Sequence, residues 1–416
     1  MEAGVDFEVW WFILIPIVFA LGWIAARVDF KQMLSETRQL PDSYFKGLNF
    51  LLNEDHDKAI DAFIEVAKLD TETTELHFAL GNLFRRRGEI ERAIRVHQSL
   101  LNRADLPRKD QEQALYQIGQ DYFKAGMFDR SEEAFKRVMN SQSLSVSAIR
   151  HLIRIYESVH DWPKAIEMVE RLKALLNEPV PALVHYHCEL VEQALRMQPA
   201  NLNEAIKHLD QAEQAMQVDS LEQRSEASMA RIAMLRAEIA AQQGQTQNQR
   251  LQLESVLNDA PSYSSLVAEK LLQNYQQTDQ LARGLELLAR HFEAHFSLDL
   301  FVILLKHYRL QGDDEVARRF AAKTLAAHPS LLGLSKFFES ELKASSATET
   351  GFTASESSAL AEILQVDFLY KIIHQHAQRL DRRECRVCGF QAQSFYWQCP
   401  GCNQWETYST KRLEGK

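Results

Sequence analysis

Four of the chain's five cysteines, Cys385, Cys388, Cys399 and Cys402, lie together in the stretch CRVCGFQAQSFYWQCPGC near the C-terminal end. Two residues separate the members of each pair, and ten residues separate the pairs. Thiols spaced this way can form disulfides, act as a redox centre or bind a metal. A C-x2-C loop brings two thiolates to adjacent corners of a tetrahedron, and two such loops complete a four-sulfur site. Disulfides persist only in oxidising compartments. The compartment of this tail therefore decides among the three, and it has to be read from the other end of the chain.

Residues 9–26, VWWFILIPIVFALGWIAA, carry no charge over eighteen positions. At about 1.5 Å per residue this makes a helix of roughly 27 Å, close to the thickness of a bilayer core. Trp10, Trp11 and Trp23 lie towards its ends, where aromatic rings favour the headgroup region, and Pro16 is tolerated in a membrane helix. The acidic start (Glu2, Asp6, Glu8) and the length of the apolar run distinguish the segment from a cleaved signal. Arg27, Lys31 and Arg38 follow the run and nothing basic precedes it, which places the C-terminal side in the cytoplasm. The expected order is a short outer segment (1–8), a transmembrane helix (9–26) and a juxtamembrane segment (27–41), with everything after it inside the cell.

In reducing cytoplasm the four thiols are expected to hold one metal ion. Four thiolates suit both zinc and iron, so the choice between them stays open. With Gly389 after the first pair and Pro400 inside the second, the segment 383–410 resembles a rubredoxin-type knuckle. So small a domain has little core, and metal binding supplies much of its folding free energy. Phe390, Phe395, Tyr396, Trp397, Trp405 and Tyr408 are expected to form its miniature core and its contact with the rest of the chain. Arg379, Arg382, Arg383 and Arg386 read as a solvated or partner-facing patch. The chain's net charge is −10 and no basic face extends this cluster, which argues against nucleic acid as a partner.

Between these ends the apolar residues recur every three or four positions, the pattern of an all-α protein, and they repeat at 34 residues: Gly47 with Gly81, Phe50 with Phe84, Ala59 with Ala93, Phe63 with His97. The register resumes at Gly119, Tyr122, Gly126 and Phe135, then at Ile153, Tyr156, His160 and Val169. LGNLFRRRGEIERAI and IGQDYFKAGMFDRSEEAF resemble the tetratricopeptide consensus. Such hairpins cannot bury their apolar faces alone and must stack into a solenoid. The expected array covers 42–342, with about eight repeats and a closing helix. A Ser/Thr/Ala-rich linker (343–358) and a further helix (359–382) then lead to the knuckle. Weaker units are marked by Ala205 and Leu209, by Gly244, by Tyr275 and Leu288, and by Tyr308, Gly312 and Ala317.

No phosphate-cradling loop, G-x-S-x-G or H-E-x-x-H motif is present, and a non-enzymatic role is expected. His185, His187 and Cys188 adjoin one another in HYHCEL, but helix positions two apart face different ways, so they are expected to be separate core or surface residues. The inner helices offer candidate partner-binding residues: Asn82, Arg85 and Arg86; Tyr116, Gln120 and Lys124; Arg150, Arg154 and Glu157. They are polar with a basic bias, at positions not expected to pack between hairpins, and they suit an acidic or carbonyl-rich segment.

The anchor at 9–26, LGNLFRRRGEIERAI, and CRVCGF with CPGCNQW occur in an order that resembles the lipopolysaccharide assembly protein B (LapB) family of Gram-negative bacteria over the whole chain. The resemblance implies an inner-membrane adaptor with a periplasmic N-terminus. It implies that the family restrains lipopolysaccharide synthesis by promoting degradation of the deacetylase LpxC with the membrane protease FtsH. Cys385, Cys388, Cys399 and Cys402 match the family's metal ligands. Two alternatives stay open: an iron-binding electron-transfer protein that docks a redox partner through its repeats, and a general envelope-assembly scaffold without a proteolytic role. A homodimer is compatible with either.

Overall fold

The computed structural model describes residues 42–53, 55–69, 74–176, 180–218, 225–347 and 368–415, together with positions 17, 19, 22 and 23. The expected membrane segment 9–26 otherwise lies outside the described residues, as do 348–367. Among the described residues no helix is long and apolar enough to cross a membrane. The chain divides at His151, inside the helix Ser145–Ser158, into two compact units.

The first unit contains the helices Asp42–Leu52, His56–Leu69, Thr74–Arg87, Ile90–Leu101, Arg108–Lys124 and Phe128–Val138. The residues that repeat in the sequence are the ones that meet in space. A Cβ added at Gly47 would lie 2.7 Å from the Phe63 ring, one at Gly81 2.4 Å from His97, and one at Gly119 2.9 Å from Phe135. Each glycine thus makes room for a ring from the second helix of its own hairpin, which lets the two backbones approach. The hairpins turn through a left-handed residue, with Gly88 at φ +84° and Gly126 at +72°. The following amide closes the helix end, Glu89 N–H to Phe84 O and Met127 N–H to Tyr122 O, each at 2.9 Å. That is the Schellman arrangement, in which a left-handed residue satisfies carbonyls the helix leaves orphaned. Ala59, Phe63, Leu76, Leu83 and Ala93 form the core between these helices.

The second unit repeats the scheme with the helices Trp162–Leu176, Ala182–Arg196, Leu202–Val218, Glu226–Gln242, Thr246–Asp259, Ser264–Gln277, Leu281–Ala294, Leu298–Leu310, Asp314–Ala327 and Leu331–Ala347. Gly244 and Gly312 take the left-handed turn position, and His160 and Asp279 fill the same role without being glycine. Leu253, Leu271, Leu288, Phe301 and Leu304 are among its buried core. The helix Leu331–Ala347 runs five residues into the stretch expected as linker. Its KASSA end holds two alanines and a lysine, strong helix formers, so the helix extends at little cost. Of the helix expected over 359–382, residues 368–377 are helical, 378–380 form a turn leading into the knuckle, and 359–367 lie outside the described residues.

The knuckle has a two-stranded antiparallel sheet, Arg383–Glu384 with Gln391–Ala392, in which Arg383 faces Ala392 and Glu384 faces Gln391. Cys385, Cys399 and Tyr408 are its buried centre. Among the described residues the fold is all-α apart from this knuckle.

Candidate metal centre and its seat on the repeat array

The two thiol loops are built alike. In the first, Gly389 N–H donates to Cys385 O at 3.1 Å; in the second, Asn403 N–H donates to Cys399 O at 2.8 Å. Gly389 (φ +73°) and Asn403 (φ +57°) both take the left-handed conformation directly after the second cysteine of the pair. Asparagine is among the few other residues that tolerate it. Gly401 is required for space, since a Cβ there would lie 3.0 Å from Phe390 Cβ and 3.2 Å from Cys388 Sγ.

The four sulfurs lie within 4.8 Å of one another. Cys385 Sγ is 3.8 Å from Cys402 Sγ, and Cys388 Sγ is 3.6 Å from Cys399 Sγ. A disulfide requires about 2.05 Å, whereas metal–sulfur bonds of about 2.3 Å at a tetrahedral centre separate the sulfurs by about 3.8 Å. The donor set therefore fits one metal ion held by four thiolates. Thr407 Oγ1 and the Val387 amide lie 3.3 and 3.4 Å from Cys385 Sγ, a second layer of polar contacts around that ligand.

The edge of the knuckle that carries Trp397, Trp405 and Glu406 is seated on the inner helices of the second unit. Trp405 stacks on His185, with centroids 4.9 Å apart and planes within 5°. Its Nε1–H donates to Glu157 at 3.0 Å, and Trp162 and Tyr186 meet it edge-on. Trp397 stacks on Tyr263 at 5.6 Å. Between the two indoles lies the Arg231 guanidinium, 5.5 Å from each ring. Arg231 is 1% exposed, and its charge is met by Glu189 at 2.6 Å and Glu192 at 2.9 Å. A desolvated cation between indole faces is a favourable cation–π arrangement.

Glu406 supplies the charge on the knuckle side. Its carboxylate accepts from His185 Nε2 at 2.7 Å, Ser225 Oγ at 2.5 Å and Ser228 Oγ at 2.8 Å. Burial opposes its ionisation, but the hydrogen bond from His185, the positive charge that imidazole gains in acid, and the hydrogen bonds from Ser225 and Ser228 outweigh it and bring the carboxyl down to about 2. Burial pushes the His185 imidazole down, against the pull of Glu406 and with the help of Arg231. A neutral His185 fits the geometry: Nε2–H donates to Glu406, while Nδ1 accepts from Arg231 Nη1 at 3.3 Å. Burial also raises the Glu157 carboxyl, against hydrogen bonds from Tyr186 and Trp405.

The seat continues to the end of the chain. Asp299, in the first turn of its helix, receives Arg383 at 2.7 Å and Arg412 at 2.6 Å. Arg412 also pairs with Asp381. Glu414 accepts from the Leu331 and Leu332 amides at 2.5 and 2.8 Å and from Ser330 Oγ at 2.7 Å. A carboxylate at a helix start complements both its free amides and its dipole.

A family model described as rubredoxin metal binding domain matches residues 384–408, and one described as tetratricopeptide repeat matches residues 76–112. The chain is 30% identical to lipopolysaccharide assembly protein B of Escherichia coli (strain K12) over 97% of its own length and 98% of that protein. The chain belongs to the lipopolysaccharide assembly protein B family. The Haemophilus influenzae member is 27% identical over 95% of this chain and 96% of its own. Among solved structures, the chain is similar to MamA, with 21% identity and a TM-score of 0.31 over 41% of this chain and 93% of that one. It is also similar to a tetratricopeptide repeat protein from Parabacteroides merdae, with 13% identity and a TM-score of 0.27 over 79% of this chain and 100% of that one.

In this member of the lipopolysaccharide assembly protein B family the candidate inner-face residues divide. Arg86, Lys124 and Arg150 are exposed, and Asn82, Tyr116 and Gln120 are half-buried. Tyr116 is packed edge-on to Phe135 and His151. Arg85 departs from the expectation that it does not pack between hairpins. It reaches the next hairpin, donating to Asp121 at 2.8 Å and to Gln117 O at 3.1 Å, because the buried Asp121 carboxylate needs a cation beside it. In the second unit Arg154 is exposed, while Glu157 is taken up by Trp405 and Tyr186. Arg383, read from sequence as part of a solvated or partner-facing patch, is buried against Asp299. His185 and His187 do face different ways: His185 meets the knuckle, and His187 stacks with His208. The seat residues Arg231, Ser225, Ser228 and Asp299 carry no local motif, and sequence reading does not reach them.

Proposed function

We propose that the chain is a non-enzymatic adaptor on the cytoplasmic side of the inner membrane, held there by residues 9–26. It regulates lipopolysaccharide synthesis by promoting FtsH-dependent proteolysis of the deacetylase LpxC. The observation that carries this reading is family membership over nearly the whole chain. It is supported by an architecture made of repeat surfaces and a four-thiolate knuckle whose described contacts are with the protein's own array. Anchoring raises the effective concentration of a bound client near a membrane protease. The knuckle metal, zinc or iron, acts in this reading as a structural ion that fixes Trp397, Trp405 and Glu406. The open basic residues Arg86, Lys124 and Arg150 of the first unit are the part of the inner face offered to a client.

The test is the half-life of LpxC in cells with the protein present, depleted, or carrying Cys399→Ser. Persistence of the deacetylase on depletion and in the variant is the expected result. An unchanged half-life in all three removes the proteolytic role and leaves an assembly scaffold or a redox protein. The latter is recognised by the colour of ferric four-thiolate iron in the purified chain.

A further inference from the structure

The two indoles that grip the array are spaced by a metal loop. Trp397 lies two residues before Cys399, and Trp405 lies three residues after Cys402. Gln398 and Trp405 form an antiparallel bridge, and Glu406 N–H donates to Trp397 O at 3.1 Å. The Cys399–Cys402 loop is therefore the turn of a hairpin whose arms carry both indoles, with Arg231 between them. The first loop braces the other side: Arg386 N–H donates to Thr407 O at 2.8 Å, and Cys385 bridges Tyr408. Glu406 is thus held between two segments, each leading into a thiolate pair.

The array side of this contact is built without the knuckle. Arg231 is paired with Glu189 and Glu192, and Tyr186 donates to Glu157 at 2.7 Å, all within the helices. An emptied seat keeps these bonds and presents Arg231, His185 and Tyr263 to whatever replaces the knuckle.

We propose that the four-thiolate metal is a latch on the inner face of the second unit. With the metal bound, the face is closed by Trp397, Trp405 and Glu406. Loss of the metal releases the indole spacing and opens the face to a peptide segment in which an aromatic side chain adjoins a carboxylate, the chemistry that Trp405 and Glu406 now supply. The latch concerns this chain's own metal and seat and holds whether or not the proteolytic reading does.

Hydrogen exchange tests it on the full chain in detergent under reducing conditions, with metal content measured. The Leu331 and Leu332 amides are the reporters, since both donate to Glu414 of the docked tail. A fluorescent synthetic peptide bearing a Trp–Glu pair is the probe. On chelation these amides are expected to exchange at least tenfold faster and the peptide to bind, both reversing when metal is restored. Amides that stay protected after metal loss, or a peptide that binds equally in both states, overturn the latch. A seat variant separates seating from knuckle folding. Because Arg231→Met also strands Glu189 and Glu192 inside the array, Glu406→Ala is the deciding variant: it keeps all four cysteines and the Arg231 pairing, so faster exchange at full metal content is expected, and unchanged exchange contradicts the seat.

Discussion

The inner faces of the two units use equivalent positions for different ends. Arg85 in the first unit and Glu157 in the second occupy corresponding places in the repeat, three residues before the left-handed turn residues Gly88 and His160. Arg85 is drawn inward to Asp121, which also accepts from His97 Nδ1 at 2.5 Å. Glu157 accepts from the buried Tyr186 and receives the Trp405 indole. The first unit therefore spends its inner-face charge on its own hairpin packing and leaves Arg86, Lys124 and Arg150 in solvent. The second unit lends its charge to a separate small domain. A repeat scaffold with one backbone plan can present either an open face or an occupied one, depending on where single charged residues find partners.

Metal removal should break this comparison most strongly. Structural metal sites contribute apparent binding free energies of about 10 kcal/mol or more. Chelation should therefore unfold the knuckle and expose Trp397 and Trp405 while the first unit keeps its thermal transition; tryptophan emission together with calorimetry reads both. Next in size are the buried charges. Arg231→Met strands Glu189 and Glu192, and Asp121→Ala strands Arg85 beside His97; breaking a buried pair costs about 3–5 kcal/mol. Urea unfolding followed by hydrogen exchange should place the first loss in the second unit and the second loss in the first.

Acid should sharpen the contrast by acting on the seat. Glu406 titrates near 2 in the folded chain, below an ordinary carboxyl at 4.5. Its contribution is complete above the unfolded value and fades as pH falls from there towards 2, a loss on the order of 2 kcal/mol by linkage. His185, whose folded value is lowered, works in the same direction, because the unfolded imidazole takes a proton first as pH falls. Glu406→Gln should flatten this acid dependence in melting curves recorded from pH 6 to pH 3. Gly119→Ala is a smaller perturbation. A Cβ placed 2.9 Å from the Phe135 ring should cost the first unit about 1–3 kcal/mol, measured as a lower urea midpoint. The smallest effect on stability belongs to Arg86→Ala, Lys124→Ala and Arg150→Ala, each within about 0.5 kcal/mol because these side chains are exposed.

The repeat is legible in sequence because it is a local rule. Gly47, Gly81 and Gly119 recur with the rings they admit, and a period of 34 residues exposes them. The four cysteines are local too, since their spacing fits a tetrahedral donor set, but choosing metal over disulfide also draws on the compartment inferred from residues 9–26. The seat is not local: His185 and Trp405 are 220 positions apart, and Arg231 and Trp405 are 174 positions apart. Arg231 sits in MARIAMLRAEI, where nothing distinguishes it from a solvated helix residue until the knuckle is placed above it. Arg383 misleads for the same reason, because the neighbouring arginines Arg379, Arg382 and Arg386 are exposed while its partner, Asp299, is 84 positions away.

The most direct measurement is LpxC turnover in cells whose only copy of this protein carries Arg86→Glu, Lys124→Glu and Arg150→Glu together. The expected result is a chain that is folded and metal-loaded yet leaves the deacetylase long-lived, because reversing these charges closes the open face to its client. Turnover at the normal rate with this triple variant would contradict it.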